Sequence, residues 1–267
     1  MAYSLSKYVA PVNDNDYITI ATDFNDPLHY IGPNGLDRRH QVSFGGTIDV
    51  PYSFRIGVIG HFYSPLPVTL TLSPSGNAGG IFVTDLTGDG TGDGSFASNG
   101  GGGDVLPGTN IGSFARGVKP SNLNGVIQSY NQNFANQPTP AGQVLMQNGL
   151  FTLGQLQALG AVQQAIPLAP ANEASMAWLK ALDLSVNWIH KIKDVVEVEP
   201  GFSLFNLMNF ANFDGPANPL SGALSGTVGS VNGTPGQQPN SNRLGLGSGV
   251  FGLGSPRVVE FSLKVRF

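Results

Sequence analysis

The last eleven residues, Arg257 to Phe267, constrain this chain more than any other stretch. Val259, Phe261, Leu263, Val265 and Phe267 are apolar, and Glu260, Ser262, Lys264 and Arg266 between them are polar; only Val258 departs from the alternation. A period of two over a full strand length, with β-branched and aromatic residues on one side, predicts a β-strand with one greasy face. A soluble sandwich strand reads this way. So does a lipid-facing barrel strand, which needs about ten alternating residues.

The same pattern recurs upstream. In 41–50 the even residues Val42, Phe44, Ile48 and Val50 are apolar, and in 54–63 so are Phe54, Ile56, Val58 and Phe62. A tight turn at Pro51-Tyr52 joins the two into a hairpin, and the alternation of Pro67 to Leu72 reads as an extension of its second strand. A second hairpin is expected from 177–189 and 194–207, turning at 190–193. Trp178, Leu182, Leu184, Val186 and Trp188 share a face with Lys180, while Asp183, Ser185 and Asn187 share the other. In its second strand Val196, Val198, Phe202 and Leu204 oppose Glu197, Glu199, Gly201 and Ser203. A short strand within residues 3–8 completes six. The two tryptophans lie ten residues apart. At about 3.3 Å per residue and a tilt near 40°, they span about 25 Å, the height of a barrel's apolar band with its aromatic girdles.

Composition narrows the class. Charged residues are 11% of the chain, against about 25% in an ordinary soluble domain. No run approaches eighteen apolar residues, so no transmembrane helix is expected, and the first residues do not read as a signal peptide. Zero cysteines exclude disulfides, thiolate metal sites and thiol catalysis within the sequence. A net charge of −4 argues against a general nucleic-acid binder.

Residues 73–175 read as a long insertion. It opens on a Gly/Asp-rich tract and continues into short helices. Leu123, Val126, Ile127, Tyr130 and Phe134 fall on one helical face. Thr139-Pro140 reads as N-cap and first helical residue, and Thr152 to Gln155 as a capping box stopped at Gly160. A further Gly/Pro/Asn-rich loop fills 208–256. The connections thus alternate long (9–39), short (51–53), very long (73–175), short (190–193) and long (208–256). With the C-terminus on the periplasmic side, every short turn falls there and every long loop outside, the pattern of an outer-membrane barrel.

Few residues suggest chemistry. Asp85, Thr87, Asp89 and Asp93 occupy positions 1, 3, 5 and 9 of a calcium-loop spacing, with Gly90 at position 6. Position 12 is Phe96 in place of the bidentate Glu, so calcium and a plain Gly/Asp turn tract both fit. Glu197, Glu199 and Asp183 share a polar face, which suits a water-filled lumen better than acid–base catalysis. His29, His40, His61 and His190 lie on different elements without a nucleophile motif, so no enzyme is expected. Arg38, Arg39 and His40 enter a strand and suit charge pairing within a barrel.

Asp37-Arg-Arg-His40 resembles the Asp-Arg-Arg-His signature of TonB-dependent outer-membrane receptors, in particular the Oar-like, carboxypeptidase-regulatory-plug group. Leu66 to Thr69, Thr84 to Gly90, Asp104 to Gly108 and Phe205 to Phe213 add to the resemblance, as does the terminal aromatic Phe267. The similarity runs over residues 1–267, but only to the C-terminal end of such receptors. Members of the group resemble plugged barrels of about 22 strands. The resemblance implies an all-β chain, the C-terminal segment of a transmembrane β-barrel with about six antiparallel strands, open in isolation, carrying a long, partly helical extracellular loop.

It also implies a place in the cell outer membrane and contact with its lipid. Its further partners would be an N-terminal plug domain, the TonB energy-transducing complex and the barrel-assembly machinery. The ligand implied for the intact receptor is a small molecule, an oligosaccharide or a peptide, imported by energy-coupled displacement of the plug. Two other readings stay open on the residues alone: a stand-alone small outer-membrane pore, and a secreted β-sandwich binding or adhesion module.

Overall fold

The computed structural model describes residues 1–11, 22–72, 84–90, 104–169, 174, 176–193, 195–213, 215–216, 219–220, 224–225, 240–241 and 254–267. Its main feature is one antiparallel sheet. Strands β1 (Ala2–Leu5), β4 (His40–Val50), β5 (Phe54–Tyr63), β6 (Leu179–Trp188), β8 (Val196–Phe205) and β11 (Val258–Arg266) lie side by side in that order. A seventh strand, β7 (His190–Ile192), continues β6 past Ile189 in the same register against β8, where the sequence reads as a bare turn. The sheet is open: β1 and β11 form its edges and do not pair with each other. Two further strand pairs, β2 (Val9–Ala10) with β3 (Gly32–Pro33) and β9 (Leu224–Ser225) with β10 (Asn240–Ser241), are two residues long.

Register aligns the alternation of every strand. Ile48, Ile56, Val186, Phe202 and Phe261 form one row across five strands, and Gly46, Val58, Leu184, Leu204 and Val259 the next. One face of the sheet is therefore apolar from β4 to β11, as a period of two demands. At Gly60 on this face the ring of Phe44 lies against the backbone, where any Cβ would collide with it. The aromatic and the glycine pair across β4 and β5, a cross-strand fit that fills the missing side chain.

The hydrophobic core lies elsewhere. Among the buried apolar residues only Ala181 belongs to these strands. The core is built from Leu70, Leu72, Leu106, Phe114, Val118, Leu123, Ile127 and Tyr130, all in the connection between β5 and β6. Its helices are α1 (Leu123–Asn133), α2 (Pro140–Gln147) and α3 (Leu153–Ala158). α1 buries Leu123, Ile127 and Tyr130, the face its spacing predicts. α2 has Pro140 at its start, and α3 begins with the capping box: the Thr152 hydroxyl accepts from the Gln155 amide, whose side chain accepts from the Thr152 amide. Gly160 closes α3 at φ 68°.

One expectation is displaced. Residues 67–72 do not extend β5. They join the loop core through bridges of Val68 to Phe114 and Thr71 to Val105. Their alternation is real, but Leu70 and Leu72 bury against α1 and its surroundings rather than continuing the sheet. The compact loop body therefore begins near Ser64, where the Ser64 amide makes its last bond to the carbonyl of His40 at 2.9 Å.

Both short turns, at 51–53 and 193–195, sit at one end of the sheet, and the C-terminal end of β11 joins them there, since Arg266 pairs with Glu197. The long connections all leave from the other end.

Candidate functional site

Three surfaces carry the chemistry: the apolar face with its rims, the polar face, and the junction of sheet and loop body.

The apolar face is unpacked. Phe261 is 80% exposed, Leu263 and Ile48 are 67% exposed, and Trp178 and Trp188 are about 40% exposed. Aromatic side chains gather at both ends. At the short-turn end Phe54 stacks on Trp188 and Trp188 on His190, while the indole N–H of Trp188 donates to the Tyr52 carbonyl at 3.1 Å. At the long-loop end Tyr3, His40 and Trp178 stack in a row, with Tyr3 OH 3.0 Å from His40 Nδ1.

The polar face is hydrogen-bonded and charge-paired. Arg55 meets Asp49 at 2.7 Å, and Lys264 reaches Glu199 at 3.4 Å. Arg266 pairs with Glu197 and, at 3.4 Å, with Glu199. The structure thus brings Glu197 and Glu199 together, as expected, and commits both to the cations of β11. Asp183 instead accepts the amide of Asn206 at 2.8 Å. Ser43 Oγ, His61 Nδ1 and Tyr63 OH stand 3.0 Å from one another, and the Arg38 guanidinium lies over the Tyr63 ring. A cavity of about 420 Å³ opens on the sheet, lined by Gly45, Thr47, Gly57, Ile59, Ser185 and Phe205 among others.

The junction is built on Asp37, 1% exposed. Its carboxylate accepts from the Tyr8 amide at 2.8 Å, Arg116 Nε at 2.9 Å and Arg39 at 3.2 Å. Arg116 also donates to the carbonyls of Asp37 and Pro65, and Arg38 donates to that of Ser64. Burial pulls the Asp37 carboxyl upward, but the Tyr8 amide and the two guanidinium groups outweigh it and hold the pKa below the ordinary value. Gly112, at φ 59°, brings its backbone against Pro33, where no Cβ fits.

Asp85, Thr87 and Asp89 sit in one turn of the loop body; Asp93 lies outside the described residues. Asp85 accepts the amides of Gly88, Asp89 and Gly90 at 2.6, 3.2 and 3.0 Å. Asp89 takes the amide of Phe24 at 2.8 Å, which ties the turn to the connection before β3. Asp104, which opens the Asp104 to Gly108 motif, accepts the amides of Leu86 and Thr87 at 2.6 and 2.8 Å. Burial raises its pKa to about 6 against those bonds. Among the described residues no three His, Cys, Asp or Glu side chains are grouped so as to hold a metal ion.

Sequence reasoning missed the asparagines of Phe205 to Phe213. Asn206 donates to the carbonyls of Phe210 and Ser255. Asn209 accepts the Arg257 amide. Asn212 accepts the Lys180 amide at 2.7 Å and donates to the Lys180 and Gly254 carbonyls. One corner thereby sews together the ends of β6, β8 and β11. Asn206 and Asn209 have φ of 49° and 51°, a region asparagine tolerates better than most residues. The spacing of three was the available signal.

Comparison with protein-family models, with curated proteins and with solved structures found no match. The fold is β-rich, with an open antiparallel sheet, one unpacked apolar face and a separate loop core.

Proposed function

We propose that the chain is the C-terminal barrel segment of a TonB-dependent receptor of the cell outer membrane. The observation that carries this reading is the apolar face: five strands in register, unpacked by any core, and rimmed by aromatic side chains at both ends. Exposed apolar patches of this extent mark contact with lipid or with another protein, and the aromatic rims favour lipid. The polar face would line a wet lumen, and the long-loop end would face outward.

An open edge in a bilayer leaves backbone groups unsatisfied, so the remaining strands of the receptor would close the wall. The intact receptor would bind its ligand at the outer loops and lumen and import it as the plug domain is displaced by the TonB complex. No catalytic step is assigned to this segment.

The test is to express the chain with an export signal and follow its partition between buffer and detergent-solubilised outer membrane, with heat-modifiable gel mobility on the same samples. Membrane-associated, detergent-dependent material that is not heat-modifiable supports the segment. A heat-modifiable species replaces it with a self-sufficient pore. A soluble, cooperatively folded monomer refutes membrane contact and favours the adhesion module.

A further inference from the structure

Charge on the apolar face is restricted to one place. Across β1, β4, β5, β6, β8 and β11 the only Lys, Arg, Asp or Glu on this face is Lys180, paired across the strands with Phe62. Its ammonium lies 5.8 Å from the centre of the Phe210 ring, which meets Phe62 edge-on. Arg257, exposed and one residue before β11, continues the alternation of Val259, Phe261 and Leu263. The asparagine corner holds both cations. Asn212 binds the Lys180 backbone on both sides and reaches Gly254, and Asn209 binds the Arg257 amide.

The contrast with the opposite face is informative. On the polar face Arg55, Lys264 and Arg266 each meet a carboxylate. Among the described residues neither Lys180 nor Arg257 forms an ion pair. Both stand at the long-loop rim, beside exposed Trp178, Met208 and Phe213. A cation on an otherwise apolar surface keeps its charge at the interface, where anionic groups are its counter-ions.

We infer that Lys180 and Arg257 form a docking site for the phosphate-bearing headgroup of an anionic lipid in the outer leaflet, its acyl chains running toward mid-height over Leu182, Leu204 and Val259. This rests on the reading that the apolar face meets lipid. Charge complementarity calls for an anionic occupant, and continuity with the apolar face selects lipid over an acidic protein partner.

The test uses the full chain with Trp188→Phe, leaving Trp178 as the sole tryptophan, excited selectively over the tyrosines. It is inserted into phosphatidylcholine vesicles containing a trace of nitroxide-headgroup lipid, either an anionic phosphatidyl-nitroxide diester or a labelled phosphatidylcholine. Wild type should be quenched more strongly by the anionic label, by about fivefold in local concentration for each cation. Lys180→Gln and Arg257→Gln should each reduce that preference, and the double variant should abolish it while phosphatidylcholine quenching is unchanged. Equal preference in the double variant, or none in wild type, overturns the site. No quenching of Trp178 by either lipid shows instead that the face does not meet the bilayer, and the receptor reading fails with it. Binding of soluble polyglutamate by wild type without vesicles, lost in the double variant, assigns the surface to an acidic protein and overturns the lipid assignment.

Discussion

Placing one arginine at mid-height on the apolar face separates a membrane strand from a soluble one. Leu184 lies four residues from Trp188 and six from Trp178. With a strand rise of about 3.3 Å and a tilt near 40°, it sits about 10 Å and 15 Å from the two rims, close to the middle of the band. Its register partners are Val58 and Leu204, so the row is apolar on both sides. An arginine at this depth in a lipid-facing strand costs about 2–4 kcal/mol. On a water-facing surface, a change away from packing or charge partners moves stability by about 0.5 kcal/mol or less. The assay transfers the full chain from urea into phosphatidylcholine vesicles and reads the emission of Trp178 and Trp188 as urea is titrated. Leu184→Arg should weaken transfer by about 3 kcal/mol, a factor of roughly 150. Ser185→Arg, one residue along and on the polar face, should change it little. Equal effects at the two positions would refute the assignment of faces.

Other consequences follow from the charged contacts. Asp37→Ala strips the mostly buried Arg116 of its carboxylate and should cost about 3–5 kcal/mol locally; hydrogen exchange should accelerate around Tyr8, Pro65 and Arg116 while the Val58 amide is unchanged. Exchanging charges in Glu199→Lys with Lys264→Glu should recover part of the β8–β11 pairing that Glu199→Lys alone disrupts, since Arg266 still faces position 199; it is scored by a disulfide engineered between positions 203 and 260, which are opposed. Asp104 titrates higher in the fold than its ordinary value. The folded chain therefore holds its proton between about pH 4 and 6 where the unfolded chain has released it, and loop-body stability from this group falls as pH rises through that window, by at most about 3 kcal/mol. Proteolysis of the loop body should show this trend in wild type and lose it in Asp104→Asn.

Much of the sheet was legible because a period of two is a local property. Val42 to Val50 and Phe54 to Phe62 disclosed both strands and the faces they share. The capping box at Thr152 and the stripe of α1 were equally local. What stayed hidden depends on distance. Arg116 lies 79 residues from Asp37, and nothing near either names the other. Pro67 to Leu72 alternates like a membrane strand yet packs into the loop core, since alternation records a buried side without saying what buries it. β7 reads as a turn in sequence because three residues are too few for a pattern. The calcium-loop spacing of Asp85, Thr87, Asp89 and Asp93 says nothing of the backbone amides of Gly88, Asp89 and Gly90 that the Asp85 carboxylate accepts.

The most direct test of lipid contact is a nitroxide scan along β5 in the membrane-bound chain, omitting Gly57 and Gly60. Collision rates with oxygen and with a water-soluble nickel chelate would be compared at each site. Labels at Phe54, Ile56, Val58 and Phe62 should favour oxygen, and those at Arg55, Ile59, His61 and Tyr63 the nickel chelate, alternating residue by residue. Nickel access that is equal on both sets would contradict a lipid-facing wall.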